Sequence, residues 1–189
     1  EVATHTARKL GKPSPLVHME HHGLRLCPER WSPIWTTLVH VIRNAVSHGI
    51  EAPDRRELAH KPPAGQIWMR LRPGEEHIEL ELEDDGAGID WDAVASKAQQ
   101  QGLPHETPEE LERALFSDGL STAQHGYDEI SGRGVGLGAV RHACERMGGS
   151  LKIISSPGAG TCFRFVVPIA NPSEVWQPPA EQPATSLRA

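Results

Sequence analysis

The chain has 189 residues, a formal net charge of −6 and three cysteines, which is length enough for one sizeable core and the wrong charge balance for a nucleic-acid surface. Cys27, Cys144 and Cys162 stand far apart and supply neither a CxxC zinc pair nor an even-numbered disulfide framework, which fits a reducing cytoplasm. No run of ~18 apolar residues is available to span a bilayer, and no charged-then-apolar leader opens the chain, so direct membrane insertion is not expected.

Because it starts at Glu1 and not at Met, the chain is expected to be a piece of a longer protein. "ATHTARKLGK" reads as the last turns of a helix, with Arg8 and Lys9 at the negative end of its dipole and Gly11 as the stop. "SPLVHMEHHGLRL" holds a strand. The next helix is expected from about Ser32 to His48, with Pro33 in its first turn and Gly49 ending it. In "QIWMRLRPGEEHIELELED", Ile67, Met69 and Leu71 alternate with their neighbours, as Ile78, Leu80 and Leu82 alternate with Glu79, Glu81 and Glu83, giving two strands joined at "RPGEEH".

Two helices follow, "WDAVASKAQQQ" after Asp90 and one opened by Thr107 and Pro108. "FSDGLSTAQHGYDEISGRG" has little periodicity and many turn formers, as in a mobile loop or lid. Val140, Ala143, Cys144 and Met147 then share one helical face that stops at Gly148-Gly149. "LKIISS" and "TCFRFVV" pair around "PGAG", and "NPSEVWQPPAEQPATSLRA" reads as a Pro-rich disordered tail or linker. The fold class expected is α+β: a two-layer sandwich with helices on one face of a mainly antiparallel mixed sheet.

Three constellations carry chemistry. On the helix ending near His48, Trp31, Ile34, Trp35, Leu38, Val41, Ile42, Ala45 and Val46 fill one arc. His40, Asn44 and His48 line the other, with Thr36, Arg43 and Ser47 alongside. A solvated helix face usually carries Glu and Lys, so this compact polar face suggests a covering ligand, although each residue alone is also an ordinary surface or cap residue. An Asn carbonyl suits magnesium, and a histidine one turn earlier can touch a phosphate or orient an attacking group.

In "ELEDDGAGID" the alternation of Leu80 and Leu82 puts Asp84 inward and Asp85 outward. An inward carboxylate needs a donor, and the exocyclic amino group of adenine is one. Gly86 and Gly88 would let a flat ring approach the backbone, although an Asp-Gly turn is also common without any ligand. "SGRGVGLGAV", with glycines at 132, 134, 136 and 138, reads as a phosphate cradle, a dinucleotide-binding turn or a hinge. "GVGLGA" formally satisfies GxGxxA, but no apolar strand leads into it and Ile154, Ser155 and Ser156 stand where an acid should hold the ribose. The loop does run straight into a helix, whose N-terminal amides attract anions.

The order of these pieces resembles the GHKL superfamily of ATP-binding domains and, within it, the catalytic domain of CheA-type histidine kinases. "LVHVIRNAVSHGIE", "EDDGAGID", "LFSDGLSTA" and "SGRGVGLGAV" carry the likeness, which covers about Leu38 to Pro168. It implies residues 13–170 as the ATP-binding catalytic domain, 1–12 as the exit of preceding dimerisation helices, and 171–189 as tail or linker. It also implies that Asn44 holds the magnesium, that His40 and His48 lie beside the phosphates, and that Asp84 accepts from adenine. Gly132, Gly134 and Gly136 would wrap the triphosphate together with Arg133, Val135 and Leu137, while Phe116 to Thr122, including Ser121 and Thr122, would form the lid.

CheA proteins commonly have an aspartate where Ser47 stands and "PGF" where Asp118, Gly119 and Leu120 stand. The function implied is transfer of the γ-phosphate of Mg-ATP to a histidine on a separate phosphotransfer domain, in cis or trans. A response regulator would act downstream, a receptor or coupling protein would be a further partner, and the full-length protein would be a homodimer. None of the eleven histidines opens a helix in an HExxTP-like setting, so the acceptor is expected elsewhere. The alternatives are an ATPase on the same fold, of the gyrase, Hsp90 or MutL kind, where a glutamate ordinarily stands in place of His40, and a degenerate nucleotide-binding or scaffolding module without kinase activity.

Overall fold

A computed structural model describes residues 1–117, 137–170 and 175–176 of the chain. Helix α1 (Val2–Lys9) leads into strand β1 (Leu16–Glu20) and the short β2 (Arg25–Leu26). Helix α2 (Pro28–Asn44) runs into a π-helical turn (Ala45–Gly49), followed by α3 (Pro53–Leu58), β3 (Gln66–Pro73) and β4 (His77–Asp84). Helices α4 (Trp91–Gln100), α5 (Pro108–Leu115) and α6 (Leu137–Arg146) come next, then β5 (Ser150–Ser156), β6 (Gly160–Pro168) and β7 (Val175–Trp176).

Five strands form one sheet in the order β1-β3-β4-β6-β5. The β1–β3 pair is parallel and the other pairs are antiparallel, so the mixed, mainly antiparallel sheet read from the sequence is the one observed. Alternation along each strand sorts its residues. Ile67, Leu71, Ile78, Leu80, Leu82, Phe163, Phe165 and Val167 face the helical layer and join one core with Trp31, Ile34, Leu38 and Val41 of α2 and Val140 and Cys144 of α6. Helix α1 belongs to the same body, because Ala3 and Ala7 are part of that core.

The other face of the sheet is ionic. Glu81, though it points away from the core, is buried among arginines: Arg72 lies 2.9 Å away, Arg164 2.7 Å and Arg70 3.7 Å. Arg70 also pairs with Glu83. The alternating glutamates of β4 therefore balance arginines on both neighbouring strands, which is cross-strand pairing across the centre of the sheet.

Some expected boundaries move. Helix α2 starts at Pro28, which occupies the first-turn position assigned to Pro33, so Pro33 lies inside the helix. The hydroxyls of Thr36 and Thr37 bond back to the carbonyls of Ser32 and Pro33 there. Its regular part ends at Asn44, where the backbone widens: the Ile50 N–H donates to the Ala45 carbonyl, five residues back, at 2.6 Å. Helix α3 and strand β2 were not read from the sequence, since neither is long enough to show a period. Val175–Trp176, within the segment expected to be disordered, pairs antiparallel with Arg25–Leu26.

Phe165 is fully buried at the centre of the core. Phe165→Ala is expected to cost about 3–5 kcal/mol of stability, read as a lower midpoint in urea unfolding with an unchanged slope.

Candidate functional site

Three segments meet at the end of β4. The alternation of Leu80, Leu82 and Asp84 carries the Asp84 carboxyl inward, where the residue is only 4% exposed. The Gly86 N–H donates to its Oδ1 at 2.9 Å. The end of the π turn lies directly over this turn: a Cβ on Gly49 would stand 3.1 Å from Asp84 Oδ1, and the Ala87 N–H donates to the Gly49 carbonyl at 2.9 Å.

Two glycines permit that approach. A Cβ on Gly86 would fall 2.2 Å from the Gly49 carbonyl oxygen. Gly88 has a φ of +80°, and its Cβ would fall 2.4 Å from the Ser156 carbonyl oxygen, so the β5–β6 hairpin closes the third side. Ser155 Oγ accepts from the Ile89 N–H at 2.8 Å and donates to the Gly160 carbonyl at 3.0 Å, joining hairpin to turn. The DxGxG spacing is thus the spacing of two close backbone approaches beside one carboxylate.

Burial is the main cause that raises the Asp84 pKa, to about 6, and the charges of Asp85 and Glu51 push the same way. Backbone hydrogen bonds from Gly86 and Thr161 act in the opposite direction. A pKa near 6 leaves the group mostly ionised at pH 7 in a low-dielectric junction, with backbone donors at Gly86 and Thr161 and acceptor capacity to spare. Asp85 turns the other way and accepts from the Gln66 N–H at 2.9 Å and from Arg56 Nη2 at 2.7 Å.

The polar face of α2 approaches this junction through the π turn. His40 and Asn44 are half-buried and His48 is exposed. Burial, then the nearby Arg43, lowers the His40 pKa, which favours the neutral imidazole with its lone pair. Ser47 spends its hydroxyl on the Arg43 carbonyl at 2.7 Å and Thr36 on the Ser32 carbonyl. Those two hydroxyls satisfy the helix itself. The wider π turn breaks the regular 100° progression by which His48 follows Asn44 on one face, and π turns of this kind recur at functional sites.

Leu137 opens α6 half-buried against the core. Phe116, expected in the lid, is a core residue: it is 6% exposed, and the Arg141 guanidinium lies 3.8 Å over its ring. An apolar ring at the end of α5 buries more surface there than it could in a solvent-facing loop. Ser121, Thr122, Gly132, Arg133, Gly134, Val135 and Gly136 lie outside the described residues, as do Asp118, Gly119 and Leu120 of the expected lid.

Sequence reasoning missed Glu51, Arg56 and Lys61. Arg56, on the single turn and a half of α3, is fully buried between Glu51 and Asp85. Lys61 Nζ reaches Glu51 at 2.9 Å and the carbonyls of Asp85 and Gly86 at 2.8 Å each. The signal available was faint, an "RR" and a "KPP" in a polar stretch between helix and strand.

Among the described residues the arrangement is thus a helix with a polar outer face, an acidic Gly-rich turn at a strand end, and a second helix, α6, packed beside α2 on the same sheet. The chain belongs to the histidine kinase-, DNA gyrase B-, and HSP90-like ATPase family, whose family model matches residues 35–171. It is 44% identical over 136 residues to the chemotaxis protein CheA of Cereibacter sphaeroides, covering 70% of this chain and 20% of that protein. It is 38% identical over 138 residues to CheA of Bacillus subtilis, again covering 70% of this chain and 20% of the relative.

A gliding motility regulatory protein of Myxococcus xanthus is 33% identical over 168 residues, covering 86% of this chain and 21% of that protein. The chain thus spans about a fifth of the length of these curated relatives. Among solved structures, the mycobacterial sensor histidine kinase MprB superposes with a TM-score of 0.52 at 18% identity, covering 88% of this chain and 90% of that one. The histidine kinase domain of the Erythrobacter litoralis EL346 blue-light activated kinase gives 0.51 at 16% identity, covering 88% of this chain and 57% of that one. These two share the fold.

A carboxyl whose pKa rises on folding binds its proton more tightly in the native state, so its contribution to stability falls as pH rises. For Asp84 the window runs from 3.8 to about 6, and the full effect is about 3 kcal/mol. Glu51 and Glu81 work in the opposite sense: burial raises both, but Lys61 and Arg164 outweigh it and leave them below the usual range. The difference between wild type and Asp84→Asn isolates the first effect. From pH 4 to pH 7, urea titrations should show the wild type losing stability relative to the variant by up to about 3 kcal/mol.

Proposed function

We propose that this chain is the ATP-binding catalytic domain of a CheA-like histidine kinase, which presents the γ-phosphate of Mg-ATP to a histidine on a separate phosphotransfer domain. The observation that carries this reading is the Asp84 carboxyl, buried at the meeting point of the π turn, the DxGxG turn and the β5–β6 hairpin. Such an acceptor suits the amino group of adenine and repels the carbonyl that guanine presents at the same position.

Asn44, half-buried on α2 one turn before the junction, offers a hard oxygen donor of the kind magnesium takes. Among the described residues no group of three or more His, Cys, Asp or Glu is arranged to hold a metal alone. That donor set fits a cation held by one protein side chain and by the phosphates of the nucleotide itself. Bound there, the ion would neutralise phosphate charge. His40 lies one turn earlier, where it can orient the reacting groups, and Gly132, Gly134, Gly136 and Arg133 are the proposed triphosphate cradle. Ser121 and Thr122 are proposed for the lid.

Phosphoryl transfer through a loose transition state asks mainly for positioning and charge neutralisation, which is what this set of residues offers. Residues 1–12 are proposed as the exit of a preceding dimerisation segment. The acceptor domain, a response regulator, a receptor or coupling protein and a cytoplasmic setting follow from the same reading. Among the described residues no helix is long and apolar enough to cross a membrane.

Incubation with γ-labelled ATP and an isolated phosphotransfer domain should label a histidine of that domain. Steady release of phosphate with no acceptor present, and no label transferred, would turn the reading to an ATPase. Asp84→Asn should weaken adenine-nucleotide binding by about 1.5–3 kcal/mol, the scale of a lost hydrogen bond to a charged group. Calorimetry reads that loss directly. Asn44→Ala should spare nucleotide affinity more than it spares transfer, seen as a larger fall in the labelling rate than in binding.

A further inference from the structure

The cations behind the Asp84 turn have no part in the reading above, yet their geometry bears on it. Arg56 Nε donates to the Pro62 carbonyl at 2.6 Å, Nη1 to Glu51 at 2.9 Å and Nη2 to Asp85 at 2.7 Å, with the whole side chain out of water. Lys61, 17% exposed, bridges Glu51 to the two carbonyls of the turn. Among the described residues the ion pairs of this region go to Glu51 and Asp85, and Asp84 receives backbone hydrogen bonds instead. Of the three carboxylates at this turn, Glu51 and Asp85 take the ion pairs from Arg56 and Lys61, and among the described residues no ion pair goes to Asp84.

We propose that Arg56 and Lys61 are positioning residues for nucleotide recognition: they neutralise Glu51 and Asp85 and tether the Asp85 and Gly86 carbonyls, which keeps Asp84 an ionised acceptor aimed into the junction. The inference rests on the adenine role proposed for Asp84. Among the described residues, the charged groups around the Asp84 turn come from four segments. Asp85 comes from the end of β4, Glu51 from the segment after the π turn, Arg56 from α3 and Lys61 from the loop before β3.

The π turn itself carries His48 beside Gly49. Lys12, which donates to the carbonyls of Val46, Ser47 and Ile50 at 2.9, 3.1 and 2.6 Å, lies within electrostatic reach of Glu51. The hairpin contributes the Thr161 backbone N–H, and the hydroxyls of Ser155 and Thr161 lie 3.1 Å apart beside it. Glu51 and Asp85 both push the Asp84 proton affinity upward. Removing Lys61 leaves Glu51 with one ion-pair partner, Arg56, where it had two, and a protonated Asp84 would present adenine with a hydroxyl donor and a weaker neutral acceptor in place of a carboxylate.

The experiment follows the Asp84 carboxyl by carbon NMR in the nucleotide-free chain, labelled at aspartate and assigned with Asp84→Asn, from pH 4 to pH 8. Lys61→Met should raise the Asp84 midpoint by roughly half a unit or more, and Glu51→Gln should lower it by a similar amount. Should Lys61→Met fail to fold by circular dichroism, Glu51→Gln still reads the effect in the opposite direction. In a second arm, affinity for Mg-ATP across the same pH range should begin its acid-side fall at higher pH in Lys61→Met, by the shift seen in the NMR.

A midpoint that stays put in every folded variant overturns the proposal. So does an affinity lowered by one factor at all pH values, the mark of a purely structural staple. If the carboxyl titrates as expected but wild-type affinity is indifferent to its protonation, the adenine role of Asp84 fails and the inference falls with it, for a distinguishable reason.

Discussion

An ionisable carboxyl brought out of water at Asp84 is the constraint around which the rest of the site is arranged. Burial alone would neutralise such a group. What keeps it largely ionised near neutral pH is a set of backbone N–H donors on one side and the diversion of the neighbouring carboxylates to Arg56 and Lys61 on the other. The glycines at 49 and 86 belong to the same solution, because side chains there would hold the π turn off the strand end and open the junction to solvent. The site is in effect a local exception to the apolar core, sealed by close backbone packing.

The surrounding fold holds this exception in place by separating its two kinds of surface. On the inner face of the sheet, alternation delivers an uninterrupted apolar layer up to Leu82, so that Asp84 is the first polar side chain on that face. On the outer face the same strand delivers Glu79, Glu81 and Glu83 to arginines on β3 and β6. Strand β4 is therefore gripped on both faces, by packing within and by ion pairs without. From the other side, α1 contributes Ala3 and Ala7 to the core, and Lys12 caps the carbonyls at the end of the π turn. The element that lies over Asp84 is anchored by a residue far from it in sequence.

Much of this was legible before any coordinates. The strict alternation in "HIELELED" announced β4 and the inward turn of Asp84, and the apolar arc from Trp31 to Val46 announced the core face of α2. The α+β sandwich followed from hairpins and helices that do not alternate as βαβ units. What could not be read were the features whose cause lies elsewhere in the chain. The π turn depends on Gly49 settling against the β4 turn, and periodicity assumed a regular helix through it. Phe116 looked like part of a loop because the segment after it is polar, whereas its ring is fixed by Arg141 of α6 and by the core. The short strand at Val175–Trp176 exists by pairing with Arg25–Leu26, and no local pattern of two residues can reveal that.

By itself, then, the sequence determined the elements whose signals repeat along the chain, the side of β4 on which each acid lies, and the DxGxG spacing that marks the turn, since periodicity and turn chemistry are local properties. Tertiary structure alone decided which cations answer which acids. Glu51, Arg56, Lys61 and Asp85 are separated by up to 34 positions and carry no shared pattern, and only folding the chain back on itself makes their Coulomb energies, which fall off with distance in space, act on one carboxylate.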